Sequence, residues 1–247
     1  MPARMNREAA AVVQNYFAAA AIPITPPSSS GGVYHCNIEY HGQLYSLSWT
    51  GDPQYPDLSS FPSILAGELC LVKQSPKMLD LKRRSAFVAA GAHASVRRLP
   101  SSAFPMVKLA HPDEFSAALI RREYEMIKRL SQLALPVPDI FEAPIFENSR
   151  ICGYRMEELH NISYEEMQNL SREIRMAVAE LHQAGYSHGD LSPSNVMKNN
   201  HGRIILIDVS FSGRLDEQIP SWFPTWVYDG ATFRKDCDLK RLENYWA

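Results

Sequence analysis

From residue 86 onward, short apolar runs alternate with longer amphipathic ones, and they predict strands and helices in a definite order. Segments 87–90, 95–99 and 106–109 are brief and predict three short strands. Over 113–133, Leu119, Met126, Ile127, Leu130 and Leu133 recur at helical spacing and predict one buried helix face, which Pro136 and Pro138 end. Segments 139–146 and 151–156 predict paired strands. Ser163 followed by Glu166 is a capping box, predicting a helix over 164–184 with the stripe Met167, Leu170, Ile174, Ala177, Val178 and Leu181, closed by Gly185. Val196–Lys198 and 203–207 predict a hairpin around Asn199-Asn200-His201-Gly202.

The first third of the chain is patterned differently. An alanine-rich stretch, 6–21, predicts a short helix, which Pro23, Pro26, Pro27 and the Ser/Gly run 28–32 stop. Val33–Tyr40 and Gln43–Thr50, separated by His41-Gly42, predict a β-hairpin. Residues 51–63 read as loop, and 64–84 as a short strand or helix ending in Lys82-Arg83-Arg84. No internal repeat is present. Strands, a helix, strands, a long helix, a loop and a hairpin make an α+β, two-lobed arrangement.

Composition narrows the function classes. The chain has 247 residues, 45% of them hydrophobic and 21% charged, with a net charge of −2. That is ordinary for a globular protein and gives no support for broad electrostatic binding to nucleic acid, with a local basic patch left open. The four cysteines Cys36, Cys70, Cys152 and Cys237 form no CxxC pair, so a cysteine zinc site is not expected and free thiols are. No apolar run reaches the roughly 18 residues of a membrane span. The N-terminal segment lacks the pattern of a secretory signal; cytoplasmic localisation is the expectation, with a mitochondrial presequence the alternative.

Candidate chemistry gathers in the second half. In His188-Gly189-Asp190-Leu191-Ser192-Pro193-Ser194-Asn195, Asp190 follows the long helix and precedes Asn195 by five residues, the spacing of a kinase catalytic loop. Asp208 follows the apolar run 204–207 at a strand end, where a carboxylate suits a magnesium contact. The bland alternatives are a turn residue for Asp190, a cap for Asn195 and a strand-end cap for Asp208. Lys108 ends a short apolar strand, and Glu123 lies on the apolar stripe of the next helix. A carboxylate buried there needs a partner, and Lys108 is the natural one. The alternative is an exposed Lys108 with Glu123 at a helix rim. Gly91, Ala92, His93, Ala94, Ser95 and Val96 form a glycine-poor candidate phosphate loop, in which His93 is equally a surface residue. Met156, Glu157, Glu158 and Leu159 form a candidate interlobe link facing adenine.

These segments resemble the atypical protein kinases, in particular the RIO family and the kinase subunit of the KEOPS tRNA-modification complex. The resemblance covers roughly residues 86–246. It includes the loop 91–96, the helix with Pro136-Val137-Pro138, and the catalytic loop with serine where conventional kinases carry lysine. It also includes Ile207-Asp208-Val209-Ser210 and Phe233-Arg234-Lys235-Asp236. It implies a bilobal kinase-like fold with a truncated C-terminal lobe, divided as 1–32 helix and linker, 33–85 β-rich extension, 86–159 upper lobe and 160–247 lower lobe. Only 39 residues follow Asp208, fewer than a conventional peptide-binding lobe needs. Asp236 or Asp238 is expected to open a last helix that buttresses the catalytic loop. The implied roles are Asp190, Lys108 and Glu123 catalytic, Asn195 and Asp208 for metal, and 91–96, Lys108, Met156, Glu157 and Leu159 for nucleotide. ATP and Mg2+ are the implied cofactors, and a protein substrate or complex the implied partner; nucleic acid is not indicated by charge, and no membrane is expected. The acidic residue of the family's phosphate loop is replaced by His93, and residues 1–85 match no part of these families. A small-molecule kinase of the aminoglycoside or choline type and a nucleotide-binding pseudokinase scaffold are the alternatives.

Overall fold

A computed structural model describes residues 22–23, 27–64, 67–100 and 102–246. The helix expected over 6–21 lies outside them. The described residues form a mixed α/β chain with several sheets and five helices. It divides into two compact units, Met1–Arg97 and Arg98–Ala247.

In the first unit, β1 (Ile22–Pro23), β2 (Ser28–Ser30), β3 (Val33–Tyr40), β4 (Gln43–Thr50) and β5 (Glu68–Val72) make one antiparallel sheet. The hairpin β3–β4 has the boundaries its pattern predicts. His41 and Gly42 take positive φ of 48° and 73°, as a two-residue turn demands. Cys36 lies opposite Leu47, and with Ile38, Trp49 and Phe61 they form the core on one face. Glu39 and Leu44 pair on the other face. The ambiguous segment 64–84 contains both candidate elements, the strand β5 and the helix α1 (Pro76–Arg84), capped by Ser75 with Pro76 in its first turn. From α1, Lys82 reaches Glu39 at 3.1 Å, and Arg97 reaches the same buried carboxylate at 2.6 Å. The strands β6 (Ala86–Ala90) and β7 (Ala94–Arg98) are neighbours, and Gly91 N–H donates to the Ala94 carbonyl at 2.8 Å between them.

In the second unit, β8 (Met106–Ala110) leads to α2 (Glu114–Gln132), whose N-cap Asp113 accepts from Ser116 N–H. The buried face of α2 is wider than its predicted stripe, adding Ile120 and Tyr124. Leu133 is 51% exposed, because the helix has already ended and Ala134 turns the chain at positive φ. The strand predicted over 139–146 shortens to β9 (Ile145–Glu147). It pairs with β10 (Arg150–Met156), which also pairs with β8. Pro138 just before it and Pro144 within it leave 139–144 irregular apart from the bridge Ile140–Met156.

The single helix predicted over 164–184 is two helices, α3 (Tyr164–Asn169) and α4 (Ser171–Gln183). Leu170, at φ −97° and ψ 10°, closes one and opens the other. The capping box holds at the start, with Glu166 N–H on Ser163 Oγ at 3.2 Å. β11 (His160–Asn161), β13 (Val196–Lys198) and β14 (Ile204–Leu206) form a three-stranded sheet, and β12 (Tyr186–Ser187) pairs with β15 (Gly213–Arg214). The last helix is α5 (Asp236–Trp246), with Asp238, Leu242 and Trp246 on its buried face. All four cysteines are free thiols. Among the described residues no helix is long and apolar enough to cross a membrane.

Candidate active site

Five side chains singled out by the sequence fall into two linked groups in the second unit. Lys108 stands in the middle of β8, opposite Tyr154 of β10. Its ammonium donates to Glu123 of α2 at 2.8 Å and also to Asp208 Oδ1. Glu123 is 2% exposed, so the carboxylate on the apolar stripe is buried and paired as its position requires. The Tyr154 hydroxyl is a further hydrogen-bond partner of Glu123. Burial alone would depress the Lys108 ammonium, but Asp208 and Glu123 outweigh it and hold it well above the ordinary lysine value. Burial raises Glu123, against the pull of Lys108, whereas at Asp208 the nearby Lys108 overcomes burial and holds the carboxyl low. Asp208 sits just past β14 in the left-handed region, φ 59°. That conformation, uncommon outside glycine, turns its carboxylate off the strand.

The second group is the loop 188–195. Asn195 Nδ2 donates to the Asp190 carbonyl at 2.7 Å and approaches Asp190 Oδ2 at 3.4 Å. The carboxamide oxygen of Asn195 accepts from Ser194 Oγ at 3.5 Å. Loop and strand end are tied together: Ile207 N–H donates to Asn195 O at 3.0 Å, and His188 Nε2 lies 3.0 Å from Ile207 O. Burial raises the Asp190 carboxyl, opposed chiefly by Arg241 and then His188, and reinforced by Asp208. Gly189 takes φ 80°, and a Cβ there would meet Phe211 O at 2.7 Å and the Tyr228 hydroxyl, so only glycine fits.

The last helix braces this loop. Asp238, fully buried, accepts from His188 N–H at 2.8 Å and Gly189 N–H at 2.9 Å, and His182 Nε2 lies 3.0 Å from the same carboxylate. Of the two aspartates expected to open a buttressing helix, Asp238 makes these contacts. Arg241, one turn on, donates to the Gly189 carbonyl and lies 3.5 Å from Asp190 Oδ1. On the other side, Arg122 of α2 donates to Ser210 O at 2.9 Å and Ser212 O at 2.7 Å, holding the turn after Asp208. Tyr154 could have been found by registering 151–156 against 106–109. Arg241 is legible only once Asp238 is assigned, because the two share a helix face. Nothing in the sequence marks Arg122.

The remaining candidates are placed as follows. Met156 ends β10 and is buried. Glu157 N–H donates to Asp139 O, and the Glu157 carboxylate accepts from Asp139 N–H, both at 2.9 Å. Glu158 pairs with Arg98, and Leu159 is half-buried. In the first unit, Gly91, Ala92 and His93 form the turn between β6 and β7, Ala94 and Ser95 are buried and Val96 is half-buried.

Among the described residues no group of three or more His, Cys, Asp and Glu is set to hold a metal. Magnesium does not require one, since it usually takes one or two carboxylates beside water and phosphate oxygens. The hard oxygens of Asp208 and Asn195 fit that demand. The RIO domain, as a family, matches residues 96–223, just over half of the chain. The matched range contains Lys108, Glu123, Asp190, Asn195 and Asp208, but neither 91–95 nor α5. The chain is also 33% identical over 92 residues to the KEOPS complex subunit Bud32 of Pyrococcus abyssi (strain GE5 / Orsay). That alignment takes in 35% of this chain and 41% of the relative, so it spans about two fifths of the relative's length.

Proposed function

Because this chain belongs to the RIO family of atypical protein kinases, we propose that it is an ATP- and Mg2+-dependent phosphotransferase or ATPase, whose acceptor is a protein serine or threonine or the chain itself. The observation that carries this reading is the junction at Lys108, where one buried ammonium joins Glu123 to Asp208 beside a loop that holds Asp190 against Asn195. Phosphoryl transfer asks a protein chiefly to position reactants and to neutralise charge, and this cluster has the parts for both.

The division of labour follows from the contacts. Lys108, held charged by its two carboxylates, would receive phosphate oxygens and release Asp208 toward the metal. Asp208 and Asn195 would hold the magnesium, whose chemistry is to neutralise the developing phosphate charge. Asp190, a carboxylate raised by burial, would orient the acceptor hydroxyl and take its proton. Glu123 fixes Lys108 and touches no substrate. The backbone of Met156, Glu157, Glu158 and Leu159 is the proposed adenine link between an upper lobe at 86–159 and a truncated lower lobe at 160–247. The proposed phosphate loop, 91–96, rests on family likeness alone. The Bud32 relative's place in a complex supports a protein partner for this chain as well.

The test is ATP turnover by the purified chain and by Asp208→Ala, with thermal shift on adding Mg·ATP. The expected result is a shift and measurable turnover in the wild type, with turnover lost in Asp208→Ala. Equal rates would sink the reading, and a shift without turnover would make the chain a nucleotide-binding scaffold.

A further inference from the structure

The last helix presents two opposite charges to one loop. Asp238 accepts from the N–H groups of His188 and Gly189. Arg241, three residues on and hence on the same side of α5, donates to the Gly189 carbonyl and reaches the Asp190 carboxylate at 3.5 Å. The loop 188–195 contains no lysine or arginine of its own. Lys108, the other cation of the site, is engaged by Glu123 and Asp208. The groups facing Asp190 are therefore Arg241 from α5, His188 and Asn195 from its own loop, and Asp208 from the strand end. Arg241 is half-buried, with its side chain 20% exposed, so the guanidinium is held in place yet still reaches solvent. It also lies beyond the residues the RIO family matches.

We propose that Arg241 is the positioning residue of Asp190, fixing the peptide that carries it and supplying, from a different element, the positive charge that the catalytic loop lacks. Negative charge that develops beside a carboxylate during transfer is offset by such a cation, more in the transition state than in the bound nucleotide. A guanidinium suits the task, because one nitrogen, Nη1, meets the carbonyl and lies near the carboxylate while the group stays charged throughout. The inference rests on the kinase reading above. The competing explanation is that Arg241 merely clasps α5 to the loop.

The two are separated by variants of the full chain assayed for ATP turnover and for the Mg·ATP thermal shift. Arg241→Met keeps the stem and removes the charge, and Arg241→Lys keeps the charge. Arg241→Met is expected to lower kcat roughly ten- to a hundredfold, the usual scale for a misplaced catalytic group, while the Mg·ATP shift is retained. Its KM for ATP should stay within about threefold of the wild type, since ground-state binding is untouched. Arg241→Lys should recover most of the lost kcat. Wild-type kcat in Arg241→Met, a lysine variant no better than the methionine one, or loss of the thermal shift would each overturn the proposal in favour of a plain clasp. Should Arg241→Met fail to fold, Arg241→Gln, which keeps donors without charge, is read against Arg241→Lys in the same way. An inert Asp208→Ala with an unaffected Arg241→Met removes only this inference, whereas a wild type without turnover removes the kinase reading and this inference with it.

Discussion

Asp238 is a fully buried carboxylate whose partners are backbone N–H groups and a histidine. Burial alone would raise it, but His182, His188 and the two N–H donors hold it below its ordinary value. A carboxyl lowered on folding adds stability above its unfolded value near 3.8, and that contribution disappears as pH falls through the lower native value. Asp238→Asn keeps the shape and loses the charge, so it should cost about 2–4 kcal/mol at neutral pH, the scale of charged hydrogen bonds left weakened in the interior. Urea midpoints measured from pH 7 down to pH 3 check this. The gap between variant and wild type should hold from pH 7 down to about 4 and narrow below that as the carboxyl takes up its proton. A gap independent of pH would mean that the charge of Asp238 is not what it contributes. The sequence nominated this residue only as one of two aspartates, because helix-opening residues are legible from pattern but their tertiary acceptors are not.

At the scale of elements, α2 does two jobs. Glu123 joins it to β8 through Lys108, and Arg122, its neighbour in the chain, joins it to the turn after Asp208. The packed face beneath them includes Leu119, Ile127 and Leu130, all almost wholly buried. Removing one member of a buried ion pair leaves the other uncompensated, so Glu123→Ala should destabilise the chain by about 3 kcal/mol. Lys108 keeps Asp208 in that variant and limits the loss. Chemical denaturation is the measurement, and a change under about 0.5 kcal/mol, the range of ordinary surface substitutions, would show that the pair is not a structural tie. The hairpin β3–β4 and the extent of α2 were legible because each is governed by a single local periodicity with clear turn or capping residues. The break at Leu170 was not. Residues 164–184 carry one continuous apolar stripe, and what parts it is tertiary: Ser171 and Arg175 donate to the Trp246 carbonyl at 3.2 and 2.6 Å, seating the end of α5 beside the joint.

At the scale of the molecule, the five predicted side chains come together in the second unit, although they are spread over a hundred residues of sequence. Spacing was enough to nominate them because turns and strand ends set each residue locally. The parts that hold them, Arg122, Tyr154, Asp238 and Arg241, come from elements distant in the chain, and single-sequence pattern carries little of that information. One prediction belongs to this scale. A fragment limited to the family-matched residues 96–223 contains Lys108, Glu123, Asp190, Asn195 and Asp208 yet lacks α5. It should show no ATP turnover under conditions where the full chain does, and a fragment as active as the full chain would show that the loop holds its shape unaided.

The grip of α5 on the His188 and Gly189 N–H groups also has a consequence for the order of events during synthesis. A ribosome releases residues 188–195 well before 236–246, so for that interval the loop exists without the carboxylate that shapes it. The loop of the nascent chain is therefore braced in one later step, when 236–246 emerge and dock, and a product cut short between the two segments carries the residues of the loop without their brace.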